Sequence, residues 1–372
     1  MSSEITNHKC PSCTAPLRYD GASGRLVCDY CGSSFSVQEI DALYSEDESA
    51  AAASLNEGRS ETASPEDYGC TDEWGSDADN LVVYNCPSCG AQLFCDINTA
   101  ATSCPYCGNH TVIPGKFEGS LKPEYLIPFK LSKDDAVSAL KQYYKGKKLL
   151  PDEFAEENHI EEIKGVYVPF WLYDGRASAD VSMEGTRSTV TSNGRERITV
   201  TEYFNIRRSG YVNFNRIPAD ASSKMPDAHM DAIEPFDYSD LTDFSTAYLP
   251  GFLCDKYDQS AEICMPRAVK RAKNTAVDLM KNDVRGYSTL TVRGSSANVS
   301  NVKFHYALLP VWMLSTTYNG SSYLFAMNGQ TGKLIGDLPV SKSKYYKYLF
   351  GIWGIGAAIL GGLMFLLYGG VF

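Results

Sequence analysis

Cys10-Pro11-Ser12-Cys13…Cys28-Asp29-Tyr30-Cys31 and Cys86-Pro87-Ser88-Cys89…Cys104-Pro105-Tyr106-Cys107 are two copies of one pattern, displaced by 76 residues throughout. In each copy fourteen residues separate the inner cysteines. A tetrahedral zinc ion takes four thiolates at about 2.3 Å, and two CxxC knuckles on facing hairpins supply them. Tight knuckles explain Pro11 and Pro87 after the first cysteine, and Gly32, Gly90 and Gly108 after the last. Two disulfides, or rubredoxin-like iron with its longer inner gap, are the weaker readings. All four ligands are cysteine, so no position is left for water or substrate, and each site is read as one structural Zn2+. The expected ligands are Cys10, Cys13, Cys28 and Cys31 in residues 1–40, and Cys86, Cys89, Cys104 and Cys107 in residues 81–115.

The other end of the chain is as distinctive. Tyr348 to Phe372 carries no charge, and Leu349 to Leu367 is almost wholly apolar. Those nineteen residues span about 28 Å as a helix, close to the hydrocarbon thickness of a bilayer. Gly354, Ala358 and Gly362 recur every fourth residue, a small-residue face suited to a second transmembrane helix. Lys342, Lys344 and Lys347 precede the span and nothing charged follows it, so the positive-inside rule keeps the preceding residues cytoplasmic. Met1 to Lys9 is polar and does not read as a signal peptide. A reducing compartment also suits the eight ligand thiols and four further cysteines, Cys70, Cys95, Cys254 and Cys264. The expectation is a single-pass, tail-anchored cell-membrane protein, with residues 341–372 as basic juxtamembrane segment and span.

Residues 41–80 contain twelve Asp or Glu and one Arg, which equals the whole chain's net charge of −11. So acidic a stretch, poor in large apolar side chains, reads as a disordered linker between the ribbons. Tyr44, Tyr68 and Trp74 are its candidate docking anchors. Residues 116–340, about 225 in all, read as an α+β body with an internal duplication, roughly 120–215 and 245–340. Tyr125-Leu-Ile-Pro128-Phe129, a helix capped by Ser132 and the strand Tyr167-Val-Pro169-Phe170-Trp171-Leu172 match a second series. That series is Tyr248-Leu-Pro250-Gly-Phe252, a helix around Pro266 to Lys281, and Leu309-Pro310-Val311-Trp312-Met313. Ser192-Asn193-Gly194-Arg195 predicts a two-residue hairpin turn, and Asn328-Gly-Gln-Thr-Gly332 another turn. The fold class is therefore multi-domain: two β zinc ribbons, a duplicated α+β body and one C-terminal transmembrane helix.

No catalytic pattern emerges. Gly329-Gln-Thr-Gly-Lys333 lacks P-loop spacing, HExxH is absent, and the five histidines are scattered. His305, between Phe304 and Tyr306, reads as a sheet residue, and Cys254 and Cys264 as buried thiols. Asp152 to Glu162 reads as a solvated helix face. The serious rival is a membrane-tethered nucleic-acid-binding ribbon protein. Phosphate binding requires Lys or Arg, yet residues 81–115 contain neither, and the charges of Lys9, Arg18 and Arg25 are cancelled by Asp20, Asp29 and Glu39. Apolar Phe94, Val112 and Ile113 suit protein partners better.

The paired ribbons, Gly165-Val-Tyr-Val-Pro-Phe-Trp-Leu-Tyr173, Pro310-Val-Trp312 with Asn328 to Lys333, and the Gly-rich span together resemble a bacterial family of zinc-ribbon membrane proteins. Some of its members carry primosomal-helicase or TFIIB-type labels. Thr14 departs from the CPxCG knuckle, where glycine is usual. The resemblance implies membrane recruitment beside an SPFH-domain protein and a phage-shock-protein-A homologue in envelope stress, and it brings no catalytic residues. The expectation is a non-enzymatic scaffold that gathers cytoplasmic proteins at the inner membrane face.

Overall fold

The computed structural model describes residues 10–368 except 14, 16, 41, 43–73, 75–77, 79–80, 98, 100–102, 110–112, 117–120, 158–161, 193 and 195. The first ribbon is a three-stranded sheet of β1 (Arg18–Asp20), β2 (Arg25–Val27) and β3 (Ser34–Phe35). Next come β4 (Leu81–Asn85), β5 (Gln92–Asp96), β6 (Ile113–Lys116) and β7 (Tyr125–Leu126). Helices α1 (Lys133–Tyr144) and α2 (Asp152–Glu157) precede the long strands β8 (Lys164–Ser192) and β9 (Arg197–Asp220). Short elements α3 (Asp227–Ile233), β10 (Thr242–Asp243) and β11 (Leu253–Asp255) lead to α4 (Ala261–Asn282) and β12 (Thr289–Tyr318). The chain then runs through β13 (Ser321–Asn328), β14 (Leu334–Gly336) and α5 (Lys342–Tyr368).

The centre of the body is the antiparallel pair β8–β12, and the body is built around it with a local two-fold symmetry. Val168 faces Leu309, while Pro169 faces Leu308 and Tyr167 faces Pro310. Each long strand takes a short parallel strand from the other half: β7 lies on β12 (Tyr125↔Ala307) and β11 on β8 (Leu253↔Val166). Ser132 and Ser260 stand at the N-caps of α1 and α4, and at Ser132 a full capping box with Asp135 forms. Trp312 Nε1 donates to the Leu131 carbonyl at 3.2 Å, and Trp171 Nε1 to the Gln259 carbonyl at 2.9 Å. Phe129 meets Trp312 edge-on at 5.1 Å, as Tyr257 meets Trp171 at 5.5 Å. Even the exits agree: Ala221 N–H donates to the Pro169 carbonyl at 2.9 Å, and Gly329 N–H to the Pro310 carbonyl at 2.8 Å.

This geometry corrects the alignment expected between the halves. Tyr248-Leu249 does not correspond to Tyr125-Leu126; it belongs to a 3-10 turn over Thr246–Tyr248, and Leu253-Cys254 takes the strand position. The second helix starts at Ala261 rather than near Pro266, which lies inside it. The β8–β9 register joins Ser192 to Arg197, so four residues, not two, make that turn. A two-residue turn does occur at Asn319-Gly320, where both residues have positive φ (50° and 76°).

Burial follows these contacts. Residues 166–173 of β8 and 306–314 of β12 are covered on both faces, and their sequences are correspondingly near-continuous apolar runs. Beyond them β8 alternates, with Ala177, Ala179, Val181 and Met183 turned to Ala272 and Ala276 of α4. The small alanines bring helix and sheet close.

Residues 81–115 do not stand apart as expected. Strands β4, β5 and β6 share one sheet with the body, because β5 pairs with β11 (Phe94↔Cys254, Leu93↔Asp255). Phe94, expected as an exposed partner contact, is therefore core; Ile113 is exposed, and Val112 lies outside the described residues. Trp74 likewise belongs to the body. It is buried edge-on against Phe94 at 5.6 Å and Phe244 at 5.5 Å, while Tyr44 and Tyr68 lie outside the described residues. Among the described residues α5 is the one helix long and apolar enough to cross a membrane, and none of its Lys342–Leu363 stretch is buried.

Candidate metal centres

Each cysteine quartet converges. Within each, the four sulfurs all lie within 4.8 Å of one another. In the first, Cys10 and Cys31 Sγ are 3.5 Å apart and Cys13 and Cys28 Sγ 3.4 Å. In the second, Cys86–Cys107 and Cys89–Cys104 are both 3.6 Å apart. A disulfide would need about 2.05 Å. A tetrahedral ion with 2.3 Å metal–sulfur bonds sets its ligands about 3.8 Å apart, so both clusters fit one structural metal ion each.

The backbone explains why these residues make such sites. Gly32, Gly90 and Gly108 all have φ of 72°, a left-handed conformation that closes each knuckle without a Cβ penalty. Their N–H groups donate to the carbonyls of Cys28 (2.9 Å), Cys86 (2.9 Å) and Cys104 (3.0 Å). Thr14, at the fourth such position, lies outside the described residues. At one cysteine of each centre local donors favour thiolate, whereas burial raises Cys89 and Cys104, and at Cys13 the Ala15 N–H is outweighed by the neighbouring sulfurs, which raise it. The Ser33 hydroxyl and N–H hold Cys31 down at about 6. Burial would raise Cys86, but the N–H groups of Cys89 and Ser88 outweigh it and bring it to about 7.

Behind the sulfurs the two centres differ. In the first, Cys13 and Cys31 are exposed and Tyr30 is 81% exposed. Its sheet touches the body through Tyr19, whose N–H donates to the Pro250 carbonyl and whose ring meets Tyr248 at 5.3 Å. In the second, Tyr106 is 7% exposed and lies against Ser222 and the fully buried Asp255, whose carboxyl burial raises to about 7. Lys164 of β8 donates to the Ser103 carbonyl at 2.7 Å, placing a cation beside Cys104. A cation there offsets the net negative charge that a divalent ion keeps with four thiolates.

The remaining expected positions fall elsewhere. Cys95, Cys254 and Cys264 are buried single thiols, with burial pushing Cys95 up to about 12 and Cys264 to about 11; Cys70 lies outside the described residues. His305 is a strand residue of β12, but its Nδ1 also meets Glu124 Oε2 at 2.7 Å, which raises its pKa. Asp152 and Glu153 are exposed, as a solvated face requires, but Phe154 beside them is buried in the core, and Asp152 pairs with Lys344 at 2.6 Å. Sequence reading missed Tyr106, Lys164 and Asp255. The signal for Tyr106 was faint: an aromatic inside a knuckle whose flanking strands carry no charge until Asp96.

The chain is similar to "Uncharacterized protein YdjG" of Bacillus subtilis (strain 168), with 33% identity over 341 residues, covering 78% of this chain and all of the relative. The chain belongs to the YdjG family. No family model and no solved structure matches it.

Proposed function

We propose that the protein is a non-enzymatic, zinc-binding scaffold, anchored by α5, that recruits cytoplasmic protein partners to the inner membrane face. The observation that carries this reading is the pairing of two all-cysteine quartets with a body that runs directly into an apolar helix of spanning length. Zinc is the ion favoured by four thiolates in a compact tetrahedral set. Lysines at 342, 344 and 347 orient the span with the body in the cytoplasm. The exposed first knuckle, with Tyr30 at its tip, is the surface assigned to partners. The resemblance to zinc-ribbon membrane proteins names SPFH-domain-like and phage-shock-protein-A-like proteins as those partners, in membrane-stress response.

The test is a pull-down from detergent-solubilised membranes, comparing the wild-type chain with Tyr30→Ala and with metal content measured on both. Recovery of SPFH-type proteins that depends on Tyr30, at two zinc ions per chain, supports the scaffold. Recovery of RNA polymerase or replication proteins instead favours the nucleic-acid reading.

A further inference from the structure

The fold brings two lysine groups, far apart in sequence, to the foot of α5. One is Lys145, Lys147 and Lys148, in the loop that leaves α1; the other is Lys342, Lys344 and Lys347, at the start of α5. Three contacts fix them side by side. Ser341 N–H donates to the Leu149 carbonyl at 2.9 Å, and Lys344 Nζ donates to the Leu150 carbonyl at 2.7 Å. Lys148 Nζ sits 6.0 Å from the ring centre of Tyr348, past the first turn of the helix. The loop therefore lies at the level where α5 becomes wholly apolar.

Charge and exposure at this foot point one way. Asp152 takes up Lys344 at 2.6 Å. Lys145, Lys147, Lys148, Lys342 and Lys347 are exposed and, among the described residues, not ion-paired. Tyr345, Tyr346 and Tyr348 are exposed beside them, as aromatic side chains are at the level of lipid headgroups. Clustered lysines with interfacial tyrosines at the base of a span complement the negative surface of an anionic leaflet. We infer that the Lys145–Lys148 loop and the foot of α5 form one binding surface for anionic phospholipid headgroups, which holds the body against the membrane. The inference rests on α5 being a membrane span.

The experiment uses the full chain in nanodiscs of phosphatidylcholine alone and of phosphatidylcholine with phosphatidylglycerol. A water-soluble amine-acetylating reagent reports each lysine by mass spectrometry. Lys145, Lys147 and Lys148 should react about fivefold more slowly in the anionic discs, and molar salt should abolish the difference. Exposed Lys270 on α4 should react equally in both. The K145Q/K147Q/K148Q variant should resist alkaline carbonate extraction from cell membranes as wild type does, while Lys347, one of the three foot lysines it keeps, loses part of its protection. Equal reaction rates at the loop in the two discs, with wild type resistant to carbonate, would overturn the headgroup surface alone. Extraction of wild type by carbonate would overturn the span, and this inference with it.

Discussion

Tyr30 and Tyr106 occupy the same place in the two cysteine patterns, yet one points to solvent and the other is sealed against Asp255 and Ser222. The quartets that hold them are almost superimposable in their sulfur spacing. What differs is the sheet behind. The first pattern closes a three-stranded sheet of its own, whereas the second is a corner of the sheet that runs through the body. Thiolate spacing specifies a metal site; it does not specify whether that site is an appendage or part of the core.

The most severe challenge to this contrast is loss of one ligand at each centre. Cys104→Ser should remove one metal ion and destabilise the whole body by at least about 4 kcal/mol, because β4, β5 and Tyr106 are tied to that knuckle. Cys28→Ser should also remove one ion, but should lower body stability by only about 1 kcal/mol, the packing of Tyr19 on Tyr248 and Phe252 being its main link. Urea unfolding followed by tryptophan fluorescence, beside elemental analysis, measures both. Equal losses of stability would erase the distinction between the two ribbons.

A finer comparison leaves the metals in place. Tyr106→Ala empties a buried ring site and should cost about 3 kcal/mol, in the range of large-to-small core changes. Tyr30→Ala should stay within about 0.5 kcal/mol, as surface substitutions do. If the two variants unfolded together, the knuckle tip would not be where the second ribbon enters the core.

Part of this contrast lies in the sequence, even though composition alone suggests Phe94 as an exposed partner contact. Arg18-Tyr19-Asp20 of β1 alternates polar and apolar, the pattern of a strand with one wet face, while Leu93-Phe94-Cys95 of β5 is a continuous apolar run. Such a run asks to be covered on both faces: Phe94 packs with Trp74 in one core cluster, and Leu93 and Cys95 lie in the other. The acidic composition around Trp74 hid it, since net charge describes a segment and not the one ring that leaves it. The metal ligands were legible because four thiolates at fixed intervals allow few other structures. The pairing of β7 with β12 and of β11 with β8 was not, because parallel partners more than 80 residues apart leave no mark on local periodicity. For the same reason, Lys164 beside Cys104 had no sequence signature: β8 lies some sixty residues downstream and reaches Ser103 only through the fold.

The smallest contrast between paired measurements comes from Asp255, the carboxyl beneath Tyr106. Its folded-state value of about 7 lies above the ordinary 3.8, so it prefers to stay protonated in the fold. The neutral acid is tolerated at low pH, and stability is lost as pH rises from about 4 towards 7, while the unfolded chain ionises freely. Each pH unit in that window removes at most about 1.4 kcal/mol, less once water reaches the site or Tyr106 shifts. Asp255→Asn removes the titration and keeps the shape. The variant should therefore gain about 1–2 kcal/mol over wild type between pH 5.5 and 7, and the gain should level off above pH 7. Urea unfolding of the metal-loaded proteins across that range reads the difference. A constant offset between variant and wild type would mean that Asp255 does not titrate in the fold, and that the second ribbon is seated on a charged rather than a neutral floor.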